Sequence, residues 1–229
     1  MPTGDTAQPP RDRIYSTRTL VLVVILLAAC VILPLLLSIR QLSDLDAQLF
    51  LEVREQYETG LKSFLRAFTE LGSLPVWFLM VPILWLVRKK KEAAALLISL
   101  LMVVLFAAAI KYAIDRPRPY EVMQAIDPLY RPTDPSFPSA HAMTIFAAAT
   151  AVGMKWRKAL IPLLILAAAI GFSRVYIGVH YPYDVASGAL IGILIGLVAD
   201  SLDLNRTIRW TEVRIGRLAG WFGLSRDPR

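Results

Sequence analysis

Long apolar runs separated by short polar stretches organise this chain. Thr19 to Ile39 carries no charged residue. As a helix rising about 1.5 Å per residue, it is long enough to cross a ~30 Å hydrocarbon core. Five more apolar runs follow, Leu71–Val87, Ala93–Ile114, Ala140–Met154, Leu160–Ile177 and Val185–Leu202. The pattern predicts an all-α polytopic membrane bundle with six transmembrane helices, the second of them short and bent at Pro75 or Pro82. Residues 40–70 have a different character. Leu42, Leu45, Leu49 and Val53 recur at helical spacing with Asp46, Glu52, Glu55 and Glu58 on other faces, and Leu61, Phe64, Leu65 and Phe68 continue the pattern after Gly60. This spacing predicts amphipathic helices lying at the membrane interface. Residues 115–138 are proline-rich and polar, and read as a loop. Residues 1–18 are polar and expected to be disordered, 19–204 form the membrane domain, and 205–229 read as a basic interfacial helix with Ile208, Ile215, Leu218 and Phe222 on one face.

Composition supports the membrane class. The 229 residues are 56% hydrophobic with a mean hydropathy of +0.53, above the ~45–50% of soluble domains. The net charge of +7 raises nucleic acid as a partner. The charges, however, punctuate apolar segments as membrane loops do, which argues against a nucleic-acid module. The single cysteine, Cys30, excludes an intrachain disulfide and a cysteine-based zinc site. No small-residue cleavage pattern closes the first run, so it reads as a retained helix. Six spans put both termini on one side. Most of the lysines and arginines fall on that side, in residues 1–18, RKKK (88–91), KWRK (155–158) and the tail. The positive-inside rule makes it cytoplasmic, so the polar stretches KYAIDRPRPY, PSFPSAH and FSRVYIGVHYPYDV all face outward.

Those three stretches hold the candidate chemistry. Lys111, Arg118 and Arg174 lie at or near the ends of apolar spans, where an unpaired cation is costly. Together with Ser139 they suit a multiply charged tetrahedral anion, arginine as a fork and lysine as a point charge. Ala140 and His141 open a helix whose free N–H groups can add to the same site. The plainer alternative is that these residues snorkel at the interface. Both histidines of the chain belong to the same constellation. His180 and Asp184 are four residues apart, so the carboxylate can orient one imidazole nitrogen and leave the other free to attack. His141 then suits the proton donor to a leaving oxygen. Two histidines and a carboxylate also resemble a zinc set, but the three cations would repel a dication, so no metal is expected.

Lys111-x6-Arg118-Pro119, Pro138-Ser139-Ala140-His141 and Ser173-Arg174-x5-His180-x3-Asp184 resemble, in order, the three signature motifs of the type 2 phosphatidic acid phosphatase superfamily. The family contains integral-membrane lipid phosphatases, among them phosphatidylglycerophosphatase B and undecaprenyl diphosphate phosphatases, and the resemblance covers about residues 70–202. It implies a metal-independent, cofactor-free phosphatase acting through a phosphohistidine. His180 would be the nucleophile, Asp184 its orienting carboxylate and His141 the general acid. Lys111, Arg118, Ser139, Ala140 and Arg174 would hold the phosphoryl group. Ala140 departs from the family's usual glycine, and is expected to be tolerated if the position is helical. The implied partner is a membrane lipid phosphate: undecaprenyl or another polyprenyl diphosphate, phosphatidylglycerophosphate or phosphatidate. A non-enzymatic lipid or anion transporter using the same cationic pocket is the competing reading. Tyr120, Tyr130 and Tyr183 read either as an interfacial aromatic belt or as a lid over the site.

Overall fold

The computed structural model describes residues 16–55 and 59–202, with Leu204 and Ile208. Most of the expected disordered N-terminus and basic tail, and Glu58 of the amphipathic segment, lie outside the described residues. Ser16 to Arg18 are ordered, at the start of the first helix. Here the Ser16 Oγ accepts the Thr19 N–H and the Thr19 Oγ1 accepts the Ser16 N–H, each at 3.2 Å. Reciprocal bonding of this kind satisfies donors that a helix start leaves open.

Every regular element among the described residues is helical. The helices are α1 (Thr17–Leu36), α2 (Arg40–Glu55), a short 3-10 turn (Thr59–Leu61), α3 (Lys62–Glu70), α4 (Leu74–Leu86), α5 (Lys90–Ile114), α6 (Pro119–Val122), α7 (Ala140–Lys155), α8 (Arg157–Tyr176) and α9 (Pro182–Ser201). Six apolar helices sit where six spans are expected. Only four of them, α1, α5, α8 and α9, are long and apolar enough alone to cross a membrane. A fifth arises if Phe64–Glu70 and α4, bent by 54°, are taken as one broken span. The break comes just before Pro75, which sits in the first turn of α4 where its missing N–H is harmless; Pro82 lies inside α4. The remaining helix, α7, has 16 residues, about 24 Å at helical rise.

α7 is the centre of the bundle, packed against α4, α5, α8 and α9. Ala142, Met143, Ile145, Ala147, Ala148, Ala149, Ala151 and Val152 are all buried. Protein rather than lipid covers this helix. Its closest neighbour is α9, and glycine sets the distance. A Cβ on Gly188 would stand 2.6 Å from the Ser139 carbonyl oxygen, and one on Gly192 2.4 Å from that of Met143. On Gly196 it would stand 2.5 Å from the Thr150 Cβ. Close approach of this kind provides dispersion contact where lipid removes the hydrophobic drive between helices. By contrast Leu20, Val24, Val31 and Leu35 of α1, and Ile161, Ile165 and Phe172 of α8, are exposed, the lipid-facing side of the bundle.

Polar contacts fix the two ends. At one, Lys155 Nζ and Arg18 Nη2 reach Asp200 at 3.0 and 3.6 Å, tying α7 and α1 to α9. At the other, the end of α5, the start of α7 and the α8–α9 turn meet beneath the 115–139 segment. Asp115, in the left-handed conformation with φ 48°, caps α5, a backbone state that Asp tolerates better than most residues. It turns the chain back over the bundle. α2 lies against this end with Asp46 and Phe50 buried, while Leu45 and Leu49 face outward. Half of the apolar stripe, Leu45 and Leu49, is therefore exposed, while Leu42 and Val53 are half-buried and the residue expected on a polar face, Asp46, is turned inward.

Candidate active site

Local sequence explains how each side chain is placed. Lys111 lies in the last turn of α5. Ser139 is the N-cap of α7, its Oγ accepting the Ala142 N–H at 3.5 Å, and Ala140 and His141 are the first helical residues. Ala140 is not among the residues with positive φ, so alanine fits there without backbone strain. Arg174 closes α8. His180 lies in the α8–α9 turn, where Gly178 adopts φ 84°, a conformation that a side chain would oppose. α9 begins at Pro182, earlier than expected, so Asp184 stands in its first turn and accepts the Tyr181 N–H at 3.0 Å.

All eight expected residues gather at this end of the bundle. Lys111, Arg118, Ser139, Arg174, His180 and Asp184 are buried. His180 has two distinct faces. Its Nδ1 stands 3.5 Å from Asp184 Oδ2 and 3.4 Å from Ser136 Oγ, and Ser136 donates to the same carboxylate oxygen at 2.6 Å. The 3.5 Å contact is at the outer limit of a hydrogen bond, of the kind that tightens when substrate binds. On the other face Nε2 lies 3.4 Å from Arg118 Nη1. Burial, assisted by the charges of Arg118 and Arg174, lowers the His180 pKa to about 3, so the imidazole is neutral and one nitrogen keeps its lone pair. His141 lies within electrostatic reach of Arg174, His180 and Arg118. Its Nε2 is buried without a protein partner, as is the Nε of Arg174. Buried polar atoms normally find partners, so these two mark where a ligand's polar atoms would complete the site. The Ser139 N–H, in contrast, is already committed, donating to the Asp184 carbonyl at 3.0 Å. Among the described residues no group of His, Cys, Asp and Glu gathers as a metal site.

Several participants were given no role in the site from the sequence. Asp134 pairs with Lys111 at 3.0 Å and Arg118 at 2.8 Å. Burial opposes its ionisation, but these two cations hold its pKa at about 2. Thr69 of α3 accepts from Arg174 Nη1 at 2.9 Å, and the Arg174 guanidinium lies 5.4 Å from the Tyr130 ring. Arg116 bridges Asp184 at 2.5 Å and Asp46 at 2.7 Å. Arg116 lies within the Lys111-x6-Arg118 motif and Asp134 a few residues before Pro138, which is the available signal; Asp46 and Thr69 are remote in sequence from every motif. The three tyrosines make contacts within the protein. Tyr120 is buried and donates to the Pro132 carbonyl, Tyr183 donates to Leu33 in α1 at 3.0 Å, and Tyr130 flanks Arg174.

A family model described as the PAP2 superfamily matches residues 92–207, just over half of the chain, and bears out the resemblance carried by the three motifs. A decaprenylphosphoryl-5-phosphoribose phosphatase of Mycobacterium tuberculosis is 39% identical over 101 residues, 44% of this chain and 55% of the relative. An undecaprenyl-diphosphatase of Sulfolobus acidocaldarius is 33% identical over 109 residues, 44% of this chain and 50% of that one. The match thus spans about half the length of these curated relatives. A solved transmembrane PAP2-type phosphatidylglycerolphosphate phosphatase from Bacillus subtilis shares the fold across 88% of this chain and 99% of its own, with a TM-score of 0.61 and 22% identity.

Proposed function

From the premise that this chain belongs to the PAP2 superfamily, we propose that it is a membrane lipid phosphatase that hydrolyses a phosphomonoester or terminal diphosphate through a phosphohistidine on His180. The observation that carries this reading is the two-faced environment of His180: Nδ1 toward Asp184 and Ser136, Nε2 toward the buried cations. In the first step the Nε2 lone pair attacks phosphorus in line. The bond from phosphorus to the leaving oxygen breaks, and His141 donates a proton to that oxygen. Water then attacks the phosphohistidine, giving its proton to His141 as the P–N bond breaks, which releases phosphate and restores both histidines. Asp184 orients His180 and offsets the positive charge the ring carries while phosphorylated. Lys111, Arg118 and Arg174, with the Ala140 and His141 N–H groups and the Ser139 hydroxyl, stabilise charge on the equatorial oxygens. No step requires a metal.

Among lipid phosphates, a polyprenyl diphosphate or a related prenyl-linked phosphate is the class we favour. Both curated relatives above carry a prenyl lipid in their names, whereas the likeness to the phosphatidylglycerolphosphate enzyme, at 22% identity, bears on fold alone. Phosphatidylglycerophosphate and phosphatidate are the competing lipids. The charge distribution supports cytoplasmic termini and a site at the extracytoplasmic face of the cell membrane.

The test is phosphate release by detergent-purified protein from undecaprenyl diphosphate, phosphatidylglycerophosphate, phosphatidate and a soluble phosphomonoester, with EDTA present. We expect release from the prenyl diphosphate, insensitive to EDTA and absent in His180→Ala. Undiminished turnover by His180→Ala would refute the mechanism. Folded wild-type protein that releases phosphate from no lipid would favour binding or transport.

A further inference from the structure

Arg116 is the most heavily engaged charged residue near His180 that the reaction above does not use. Its guanidinium is a fork between two buried carboxylates. Nη1 donates to Asp184 Oδ1 at 2.5 Å, and Nη2 to Asp46 Oδ2 at 2.7 Å. The guanidinium carbon lies over the Tyr181 ring, 4.1 Å from its centroid. The other oxygen of Asp46 accepts the Tyr183 N–H at 2.7 Å, one residue before Asp184 in the chain. The Arg116 carbonyl accepts the Ser136 N–H at 2.8 Å, and Ser136 is the hydroxyl that bridges Asp184 and His180. Every group holding the His180 Nδ1 face is thus tied to Arg116 directly or through one bond.

The two oxygens of Asp184 have separate duties. Oδ2 faces His180 and accepts from Ser136 and Tyr181, while Oδ1 is given to Arg116. One bond on each oxygen fixes the plane of the carboxylate. The pairing also shares out its charge. A buried carboxylate beside an imidazole, with no other cation, favours imidazolium, and an imidazolium has no lone pair with which to attack phosphorus.

We propose that Arg116, held in place by Asp46 of the amphipathic helix α2, is a positioning residue for the reaction. It fixes the Asp184 carboxylate on His180 Nδ1 and takes up part of its charge, adding to the burial and to the Arg118 and Arg174 charges that favour a neutral ring. The proposal rests on the phosphohistidine reading above. It assigns α2 a part in the chemistry: Asp46 docks this helix on the site and closes the second half of the fork. The charged and titratable groups around the pair are Arg118, Arg174 and His141 facing His180, and Lys111, Asp46, Arg116 and Tyr181 facing Asp184. None of the others bridges Asp184 to a second element as Arg116 does.

The chain has only two histidines, so its imidazoles can be read directly. Full-length protein labelled with ¹⁵N-histidine in detergent micelles gives two sets of ring signals, assigned by His141→Gln. Arg116→Gln alone would leave two carboxylates unpaired. The informative variant is therefore Asp46→Asn with Arg116→Gln, which keeps the hydrogen-bonding shape and removes both charges. In wild type we expect His180 to stay neutral, with its proton on Nδ1, throughout the accessible acidic range. In the double variant it should protonate at least about one pH unit higher, the shift expected of an unshared carboxylate within ~4–6 Å. Arg116→Lys keeps the charge but replaces two separately placed planar donors with a single-atom head that cannot reproduce the fork's geometry. It should leave His180 neutral while lowering kcat on the lipid substrate at least about ten-fold, with KM unchanged because Arg116 does not reach the phosphate. Identical His180 titrations in wild type and double variant would overturn the electrostatic role. Wild-type kcat in Arg116→Lys would overturn the positioning role, and remains readable if the double variant does not fold. The titration needs no turnover, so it fails or succeeds separately from the phosphatase reading.

Discussion

Substituting Gly192 by alanine tests how the bundle holds its reactive end together. The new Cβ would stand 2.4 Å from the Met143 carbonyl oxygen, 3.1 Å from the Ala147 nitrogen and 3.2 Å from the Met143 carbonyl carbon. All three are backbone atoms of α7 and cannot rotate away, so α9 must retreat by about 1 Å to reach ordinary contact, which for such pairs lies beyond ~3.4 Å. Overpacking of this kind costs about 1–3 kcal/mol, and retreat also loosens the contacts at Gly188 and Gly196. Alanine returns part of this through its better helix propensity, about 1 kcal/mol. Taking the top of the overpacking range because backbone faces backbone, the net loss is about 2 kcal/mol. At about 2–4 °C per kcal/mol for a chain of this size, the thermal midpoint in detergent should fall by about 4–8 °C. Activity should fall as well, because the Ser139 N–H is bonded to the Asp184 carbonyl across this helix pair. Gly60→Ala is the control: nothing lies within 4 Å of its Cβ position, and its midpoint should stay within about a degree of wild type. A Gly192→Ala midpoint at or above wild type would refute the view that glycine sets the α7–α9 distance.

Three other outcomes follow from the site. His180 protonates near pH 3 in the folded protein against an ordinary 6.5, so the unfolded chain binds the extra proton between those values. Stability should fall as pH drops from about 6.5 toward 3, with no contribution from this group above that window; midpoints measured across it should decline less steeply in His180→Gln, and equal slopes would count against a buried neutral His180. Asp134→Asn should bind inorganic phosphate more tightly, because the carboxylate occupies donors of Lys111 and Arg118. Its side chain is 42% exposed, so screening limits the gain to about 1 kcal/mol, roughly five-fold in the inhibition constant; weaker inhibition would show that Asp134 instead supports the cations. With Cys30 replaced by serine, a cysteine at the exposed Lys91 should react with a membrane-impermeant thiol reagent only from the cytoplasmic side, and labelling of intact cells from outside would reverse the orientation.

Much of this was legible along the chain because membrane helices and catalytic motifs are local statements. A run of apolar residues must satisfy its backbone hydrogen bonds internally, so the runs became α1, α4, α5, α7, α8 and α9 wherever hydropathy placed them. The i, i+4 spacing of His180 and Asp184 put the carboxylate beside the ring, and the apolar run after Ser139 marked the start of α7 at Ala140. The sequence could also show that residues 40–70 were amphipathic. It could not show which face turned inward, because the partner of Asp46 lies seventy residues away in Arg116.

Tertiary structure decided what depends on the approach of distant segments. The run that became the central helix, α7, is the shortest of the six apolar runs. Its place is set by the glycines of α9, a stripe plain in the sequence that does not name the helix it meets. The charge state of His180 was likewise decided by the fold: burial together with Arg118 and Arg174 keeps the ring neutral, where its spacing from Asp184 alone would favour a proton. Hydropathy and helical periodicity act over a few residues and can be read in order. Electrostatics and close packing act through space, and only the folded chain sets those distances.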